Sequence, residues 1–159
     1  MSLSFRRAEK TDVALIMQLI RELAIYEKML DQVIATEETL CEWLFEKKSA
    51  EVVFAVEDET EVGYALYFHN FSTFVGRAGI YLEDLYVKPA FRGRGYGKAL
   101  LKHLAQIALA RGCGRLEWAC LDWNKPSIAF YLSMGATPMD DWTVYRVSGN
   151  ELRELADAK

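Results

Sequence analysis

Cysteine, histidine and proline are scarce in this chain of 159 residues, which contains three cysteines, two histidines and three prolines. An odd number of cysteines without a Cys-x-x-Cys pair predicts neither a disulfide framework nor a zinc site. His69 and His103 stand far apart in the sequence, without a neighbouring set of metal-ligand residues. We therefore expect no metal centre.

An excess of positive charge is also missing, because the formal net charge is -4 at pH 7. Modules that bind a nucleic acid duplex normally carry a basic balance, so we expect no nucleic acid partner. Apolar runs fall well short of the roughly 20 residues of a membrane span, and the N-terminus has no signal-peptide core. The sequence predicts a cytoplasmic protein without a membrane segment.

An apolar content of 52% is enough to bury a substantial core in a chain of this length. Helical spacing of apolar residues predicts a first helix capped by Thr11. Thr36 is predicted to cap a second helix, which ends near Lys47. Beyond Lys47 the apolar period changes to two, and Asp58-Glu59-Thr60 is typical of a hairpin connection. Strands are predicted at 4–7, 51–57, 61–68, 80–87, 115–120 and 143–147, and further helices at 98–111, 126–134 and the C-terminus.

No linker, repeat or low-complexity segment divides the sequence. We predict one α/β (α+β) domain over residues 1–159, with a mixed, largely antiparallel sheet flanked by helices. Its most informative stretch is the glycine-rich run between the strand that ends at Val87 and the helix that follows. Three glycines in six residues bring consecutive main-chain N–H groups close to a ligand, and a helix start adds more. This order predicts a pyrophosphate site, formed by Arg92, Gly93, Arg94, Gly95, Tyr96, Gly97 and Lys98.

The spacing of the glycines separates this loop from two other phosphate motifs. A Walker A loop ends in Gly-Lys-Ser or Gly-Lys-Thr, whereas Ala99 follows Lys98 here. A dinucleotide fingerprint needs Gly-x-Gly-x-x-Gly, but the three glycines stand at every second position. The pattern that fits is Arg-x-x-Gly-x-Gly, and in it the chain resembles the GNAT superfamily of N-acetyltransferases, whose motif cradles the pyrophosphate of acetyl-CoA.

The resemblance covers nearly the whole chain. The segments 81–87, 121–124 and 130–136 are similar to the spermidine/spermine (diamine) N-acetyltransferase branch. Within it, 72–77, 111–113 and 122–124 look closer to the thialysine N-acetyltransferase type. The resemblance implies a GNAT-like acyl-CoA N-acyltransferase fold, acetyl-CoA as cosubstrate, no metal, and acetyl transfer to a small-molecule amine.

Acetyl transfer to an amine requires a proton acceptor, because a primary ammonium has a pKa near 10.4. Glu83 is the candidate, since the resembled branch places a glutamate at the substrate amine here. On a regular strand its neighbour Asp84 points to the opposite face. The alternative is that Glu83 is merely a solvated strand residue.

Two further groups complete the expected chemistry. Main-chain N–H groups of Leu85, Tyr86 and Val87 stabilise the charge on the thioester carbonyl if a bulge splays the strand there. Tyr131 is the candidate proton donor to the departing thiolate, against the alternative that it is a core aromatic like Phe130. Asn124, which can also cap the next helix, Pro126 and Ser127 are the remaining predicted cofactor contacts.

The predicted residues that bind the acceptor amine are Tyr26, Glu27 and Glu83. The resemblance implies that Tyr26 and Glu27 hold the far end of the amine substrate. The branch also forms homodimers, and apolar residues near Trp142 offer surface for one. Two other functions stay open on the sequence alone. They are acetylation of proteins or peptides, and a noncatalytic acetyl-CoA-binding regulator.

Overall fold

The computed structural model describes residues 2–159 and divides them into two compact units, residues 2–121 and residues 122–159. The first unit is built on a five-stranded sheet whose strands lie in sequence order. The strands are β1 (Leu3–Arg7), β2 (Glu51–Glu57), β3 (Thr60–Ser72), β4 (Arg77–Val87) and β5 (Leu116–Trp118). The first four pair antiparallel and β5 pairs parallel with β4, which confirms the predicted mixed, largely antiparallel sheet.

Five α-helices accompany the sheet in the described part of the chain: α1 (Val13–Tyr26), α2 (Glu37–Cys41), α3 (Tyr96–Ala110), α4 (Lys125–Ser133) and α5 (Gly149–Asp157). The first three belong to the first unit and the last two to the second. Thr36 caps α2 as predicted, because its hydroxyl accepts a hydrogen bond from the N–H of Thr39 at 3.1 Å. The helix then continues as a single π turn, Glu42–Glu46. Within residues 2–159, none of the helices has the length and apolar character needed to cross a membrane.

The hairpin between β2 and β3 turns on two residues, Asp58 and Glu59. Both have positive φ, at 49° and 69°. This handedness matches the twist of two-residue hairpins, although neither residue is glycine. The predicted hairpin is confirmed, and Thr60 already belongs to β3.

Helices cover both faces of the sheet. Leu19 of α1 packs in one core cluster with Phe54 and Tyr64 of the sheet. On the opposite face Phe5, which pairs with Ala55, stacks on His103 of α3 with the ring centroids 4.3 Å apart. Phe54 and Ala55 of β2 thus lie on the faces that pack on α1 and α3, respectively, because successive residues of a strand point to opposite faces of the sheet.

One predicted strand is wrong. Residues 143–147 are irregular in the structure, and Val144 and Tyr145 are 87% and 91% exposed. The segment is rich in β-forming residues, but a strand forms only where a partner binds its main-chain groups. The other strands and helices occur where they were predicted, with β3 and β4 longer and β5 shorter than expected. The predicted cap of α1 is wrong, because Thr11 lies in a 3-10 turn, Lys10–Asp12, and Asp12 is the N-cap residue.

Candidate active site

The glycine loop begins after the short 3-10 turn Pro89–Phe91 and leads into α3. Gly93 and Gly95 adopt left-handed backbone conformations, with φ of 79° and 82°. A side chain would strain both positions, so glycine is what allows the chain to turn this sharply into the helix. The helix begins at Tyr96, two residues earlier than predicted.

Open space lies beside these glycines. A methyl group built on Gly93, Gly95 or Gly97 would meet no atom within 4 Å. The first helical hydrogen bond joins the N–H of Ala99 to the carbonyl of Gly95 at 3.0 Å, so the N–H groups of residues 96–98 precede the ladder. Exposed N–H groups at the positive end of a helix suit a pyrophosphate, and the residues present fit the diphosphate of acetyl-CoA.

The side chains of Arg94 and Tyr96 turn back from the loop onto the sheet. Both bind Glu57, the last residue of β2, which is only 5% exposed. Arg94 donates to its two carboxylate oxygens at 3.1 Å each, and the Tyr96 hydroxyl donates at 2.6 Å. Both side chains are therefore engaged by Glu57, and the main-chain groups of Arg94 and Tyr96 are what the loop offers to a ligand.

Arg92 joins the loop to the end of α1. Its Nε donates to the carbonyl of Val87 at 2.8 Å. Its guanidinium lies over the ring of Tyr26 at 5.0 Å and over that of Tyr86 at 5.4 Å. Predicted cofactor and acceptor residues therefore meet at this guanidinium.

A β-bulge interrupts β4 at Glu83. Leu82 pairs with Tyr67 and Asp84 with Leu66, so Glu83 is the extra residue between two regular ladders. The bulge reverses the alternation, which turns Asp84 toward the face that packs on α1. The expectation that Asp84 points away from Glu83 is therefore wrong, because the strand is not regular there.

Three carboxylates approach one another at this point: Glu27 at the end of α1, exposed Glu83 and half-buried Asp84. We call these three residues the acceptor cluster. Burial raises the pKa of Glu27, and the charges of Asp84 and Glu83 raise it further. Burial also raises the pKa of Asp84, while a hydrogen bond from the Tyr64 hydroxyl at 2.8 Å opposes that shift and Glu83 adds to it. A site in which negative charges are crowded favours a cation.

Tyr64, Glu57 and the position of Asp84 were not predicted from the sequence. Tyr64 is fully buried in a run of apolar strand residues, and a buried phenol requires a polar partner. Tyr64 therefore signalled that some partner exists, but the identity of that partner depends on the bulge. Among residues 2–159, no group of three or more His, Cys, Asp or Glu side chains is arranged to hold a metal ion.

One edge of β4 is open beyond the bulge. Pairing with β5 covers Ile80 to Leu82, and within the described residues no strand adjoins that edge further along. On its other edge the segment Leu85–Val87 pairs with residues 63–65 of β3. This open edge belongs to residues 85–87, whose main-chain N–H groups are predicted to stabilise the charge on the thioester carbonyl.

The second unit carries the remaining predicted residues on α4. The side chain of Asn124 caps this helix, since it accepts a hydrogen bond from the N–H of Ser127 at 3.4 Å, and Pro126 lies in the first turn. Tyr131 is half-buried, with its ring 5.5 Å from that of Phe130. The capping role is confirmed, and the cofactor-side roles stay predictions.

Comparison with known proteins agrees with this geometry. The acetyltransferase (GNAT) family model matches residues 16–136. A thialysine N-epsilon-acetyltransferase of Bos taurus is 42% identical, with 95% of each chain covered. An L-ornithine N5-acetyltransferase of Arabidopsis thaliana is 29% identical, with 94% of this chain and 86% of that protein covered. A solved integron cassette protein from the mobile metagenome of V. cholerae superposes with a TM-score of 0.82 at 33% identity, covering 99% of both chains.

The fold and the glycine loop thus define an acyl-CoA-dependent transferase. The chain belongs to the GNAT family of acetyltransferases, and it is an acetyl-CoA-dependent N-acetyltransferase. The predicted family, fold class and enzyme class are confirmed.

Proposed function

We propose that this enzyme transfers the acetyl group of acetyl-CoA to a primary amine of a small molecule by direct attack in a ternary complex. The acceptor is thialysine, a lysine-like amine or a short diamine or polyamine. The observation that carries the proposal is the crowding of Glu27, Glu83 and Asp84, which favours a cationic acceptor. The names of similar enzymes support it, because they specify thialysine and ornithine, two amino acids with a side-chain amine.

Acetyl-CoA supplies the acetyl group as a thioester. Glu83, directly or through water, accepts a proton from the acceptor ammonium, and the freed nitrogen lone pair attacks the carbonyl carbon. Main-chain N–H groups of the segment Leu85–Val87 that point to the open edge of β4 stabilise the negative charge on the carbonyl oxygen. As the C–S bond breaks, Tyr131 donates its phenolic proton to the thiolate. The acetylated nitrogen loses its second proton to solvent, and proton exchange with solvent restores Glu83 and Tyr131.

On the cofactor side, the loop from Arg92 to Lys98 binds the pyrophosphate through main-chain N–H groups. The open space beside Gly97 supports this role. Asn124, Pro126 and Ser127 are proposed to contact the pantetheine arm. We also propose that residues 1–159 act as one N-acetyltransferase domain, since the family match extends across the boundary between the two units.

An amino acid acceptor also needs a cation for its own carboxylate. Two basic residues, Lys28 and Arg77, lie near predicted acceptor or loop residues in the sequence. Arg77 begins β4 six residues before Glu83, about 20 Å along an extended strand, and donates to the carbonyl of Gly112 at 3.2 Å. Lys28 directly follows Glu27 in the chain, with a φ of 61° that turns the backbone at this point. We therefore propose Lys28 for the carboxylate.

The test is the release of free thiol from acetyl-CoA with different acceptors at subsaturating concentration. Thialysine, lysine, ornithine, putrescine, spermidine and spermine are compared through kcat/KM, beside peptides and a reaction without acceptor. We expect thialysine to be preferred and Lys28→Met to raise its KM while leaving that of putrescine unchanged. Activity on peptides alone would contradict the proposal.

Two further properties belong to the proposal. A homodimer is supported by the exposure of Trp142, Val144 and Tyr145, which leaves apolar surface for a second copy. Light scattering at micromolar concentration tests it, and a mass of 18.2 kDa, that of one chain, would contradict it. A cytoplasmic location is supported by three free cysteines, since reducing compartments keep thiols reduced, and cell fractionation tests it.

A further inference from the structure

Glu57 is a buried carboxylate outside the acceptor cluster. It is 5% exposed, it ends β2, and it accepts hydrogen bonds from Arg94 and Tyr96 of the glycine loop. A buried charge is retained only where it is paired and hydrogen-bonded. The question is what this arrangement does for the enzyme.

The two partners of Glu57 stand on either side of Gly95, the residue that caps α3. Gly95 has a left-handed backbone conformation and no side chain. No side-chain contact of Gly95 itself therefore holds the orientation of its two flanking peptide groups. Binding Arg94 before it and Tyr96 after it to one carboxylate fixes both peptides that flank it. Phe91 adds a further contact, because the Arg94 guanidinium lies 5.1 Å from its ring centroid.

Glu57 itself has little freedom to move. Its main chain pairs with Thr60 across the two-residue turn of Asp58 and Glu59. The carboxylate therefore acts as a fixed point on the sheet to which a glycine-rich loop is tied. The direction of the N–H groups at the start of α3 follows from that tie.

We propose that Glu57 is a positioning residue for acetyl-CoA, which orients the main-chain N–H groups of the loop toward the pyrophosphate. The inference rests on the proposed role of the loop. Glu57 acts through Arg94 and Tyr96 and leaves the reacting atoms to other residues. Its loss is expected to weaken the binding of the cofactor and to leave the acetyl transfer step intact.

The other end of β2 provides a matched control. Glu51, its first residue, accepts two hydrogen bonds from Arg111, at 2.7 and 2.9 Å. Arg111 follows the last residue of α3, so both glutamates tie the same helix to the same strand. Only the Glu57 tie reaches the glycine loop.

The experiment compares Glu57→Gln, Glu51→Gln and the milder Tyr96→Phe with the wild type, using acetyl-CoA and S-acetylpantetheine, which lacks the pyrophosphate. We expect Glu57→Gln to raise the KM for acetyl-CoA about tenfold or more, since a charged hydrogen bond is lost. We expect kcat, and kcat/KM with S-acetylpantetheine, to stay near wild type. Tyr96→Phe should show a smaller effect of the same kind, and Glu51→Gln none.

Calorimetry with acetyl-CoA measures binding independently of turnover. An equal loss of kcat/KM with both thioesters, or an equal rise in the KM for acetyl-CoA in Glu51→Gln, would mean that Glu57 only supports the fold. Either result would overturn the inference. Unchanged acetyl-CoA affinity in Glu57→Gln would overturn it as well. If Glu57→Gln fails to fold, Tyr96→Phe decides on the same criteria. A wild-type protein that binds no acetyl-CoA would instead contradict the proposed function.

Discussion

The glycine loop and the acceptor cluster treat their charges in opposite ways. In the loop, Arg92 and Arg94 are engaged by a main-chain carbonyl, aromatic rings and the carboxylate of Glu57. In the cluster, burial raises the pKa of both Glu27 and Asp84, the charge of Asp84 raises that of Glu27 further, and the charge of Glu83 raises both. In the proposed function, the loop residues already have their hydrogen-bond partners before the pyrophosphate binds. The negative charge of the cluster is neutralised only when a cationic acceptor binds. One site depends on preorganised main chain, and the other on uncompensated charge.

The largest expected effect comes from filling the loop. Gly97 lies in open space and its φ is not left-handed, so Gly97→Val should fold while its side chain occupies the phosphate position. Losing two main-chain hydrogen bonds to a charged group lowers the affinity for acetyl-CoA by about 10³-fold. Calorimetry measures this, with Lys102→Val on the same helix as control. Wild-type affinity in Gly97→Val would remove the loop from the site.

Tyr131→Phe tests the proposed protonation of the departing thiolate. This step depends on neither the glycine loop nor the acceptor cluster. Deleting the phenolic proton should lower kcat by about 10²-fold with little change in acetyl-CoA affinity. Steady-state kinetics and calorimetry together separate the two effects, and Phe130→Leu on the same helix is the control. Turnover at the wild-type rate would assign Tyr131 to packing alone.

Glu27→Gln sharpens the comparison directly. A neutral amide removes repulsion from Asp84 and Glu83, so we expect a higher Tm together with an acceptor KM raised about tenfold. Glu57→Gln should change Tm in the opposite direction, because it leaves Arg94 without its carboxylate. Thermal denaturation at neutral pH compares the two. A lower Tm in both variants would show that the cluster carries no net repulsion.

The smallest effect is a shift in pH dependence. The Tyr64 hydroxyl lowers the pKa of Asp84 through its hydrogen bond, so Tyr64→Phe should raise that pKa. If ionised Asp84 helps to hold the acceptor, the acid limb of kcat/KM moves to higher pH. Tyr67→Phe is the matched control, since Tyr67 is equally buried on the other face of β3 and its phenol is near Arg111. An unmoved limb in Tyr64→Phe would exclude Asp84 from this role.

Local signals predicted the glycine-rich turn into α3 and the start of α2 well. Glycine spacing, a helix start and the capping of α2 by Thr36 all depend on neighbours in the sequence. The acceptor side depends on pairing between strands, which a sequence does not state. The bulge at Glu83 and the Tyr64–Asp84 hydrogen bond arise from such pairing, so they were missed. The tie of the glycine loop to Glu57 was missed because it joins segments that are far apart in the sequence. The wrong strand at residues 143–147 has the same origin, because its propensity was right and its partner was lacking.

The bulge has a consequence for what could be removed from the chain. Taking one residue out of a central strand normally sends every later side chain to the wrong face. At Glu83 the opposite holds, because its removal would leave Leu82 and Asp84 as regular neighbours that already face opposite sides. A deletion of this single residue should therefore leave a folded protein with its core and glycine loop intact, able to bind acetyl-CoA but slow to acetylate. That outcome would separate the extra residue from the requirements of folding and assign it to the proposed chemistry of the amine.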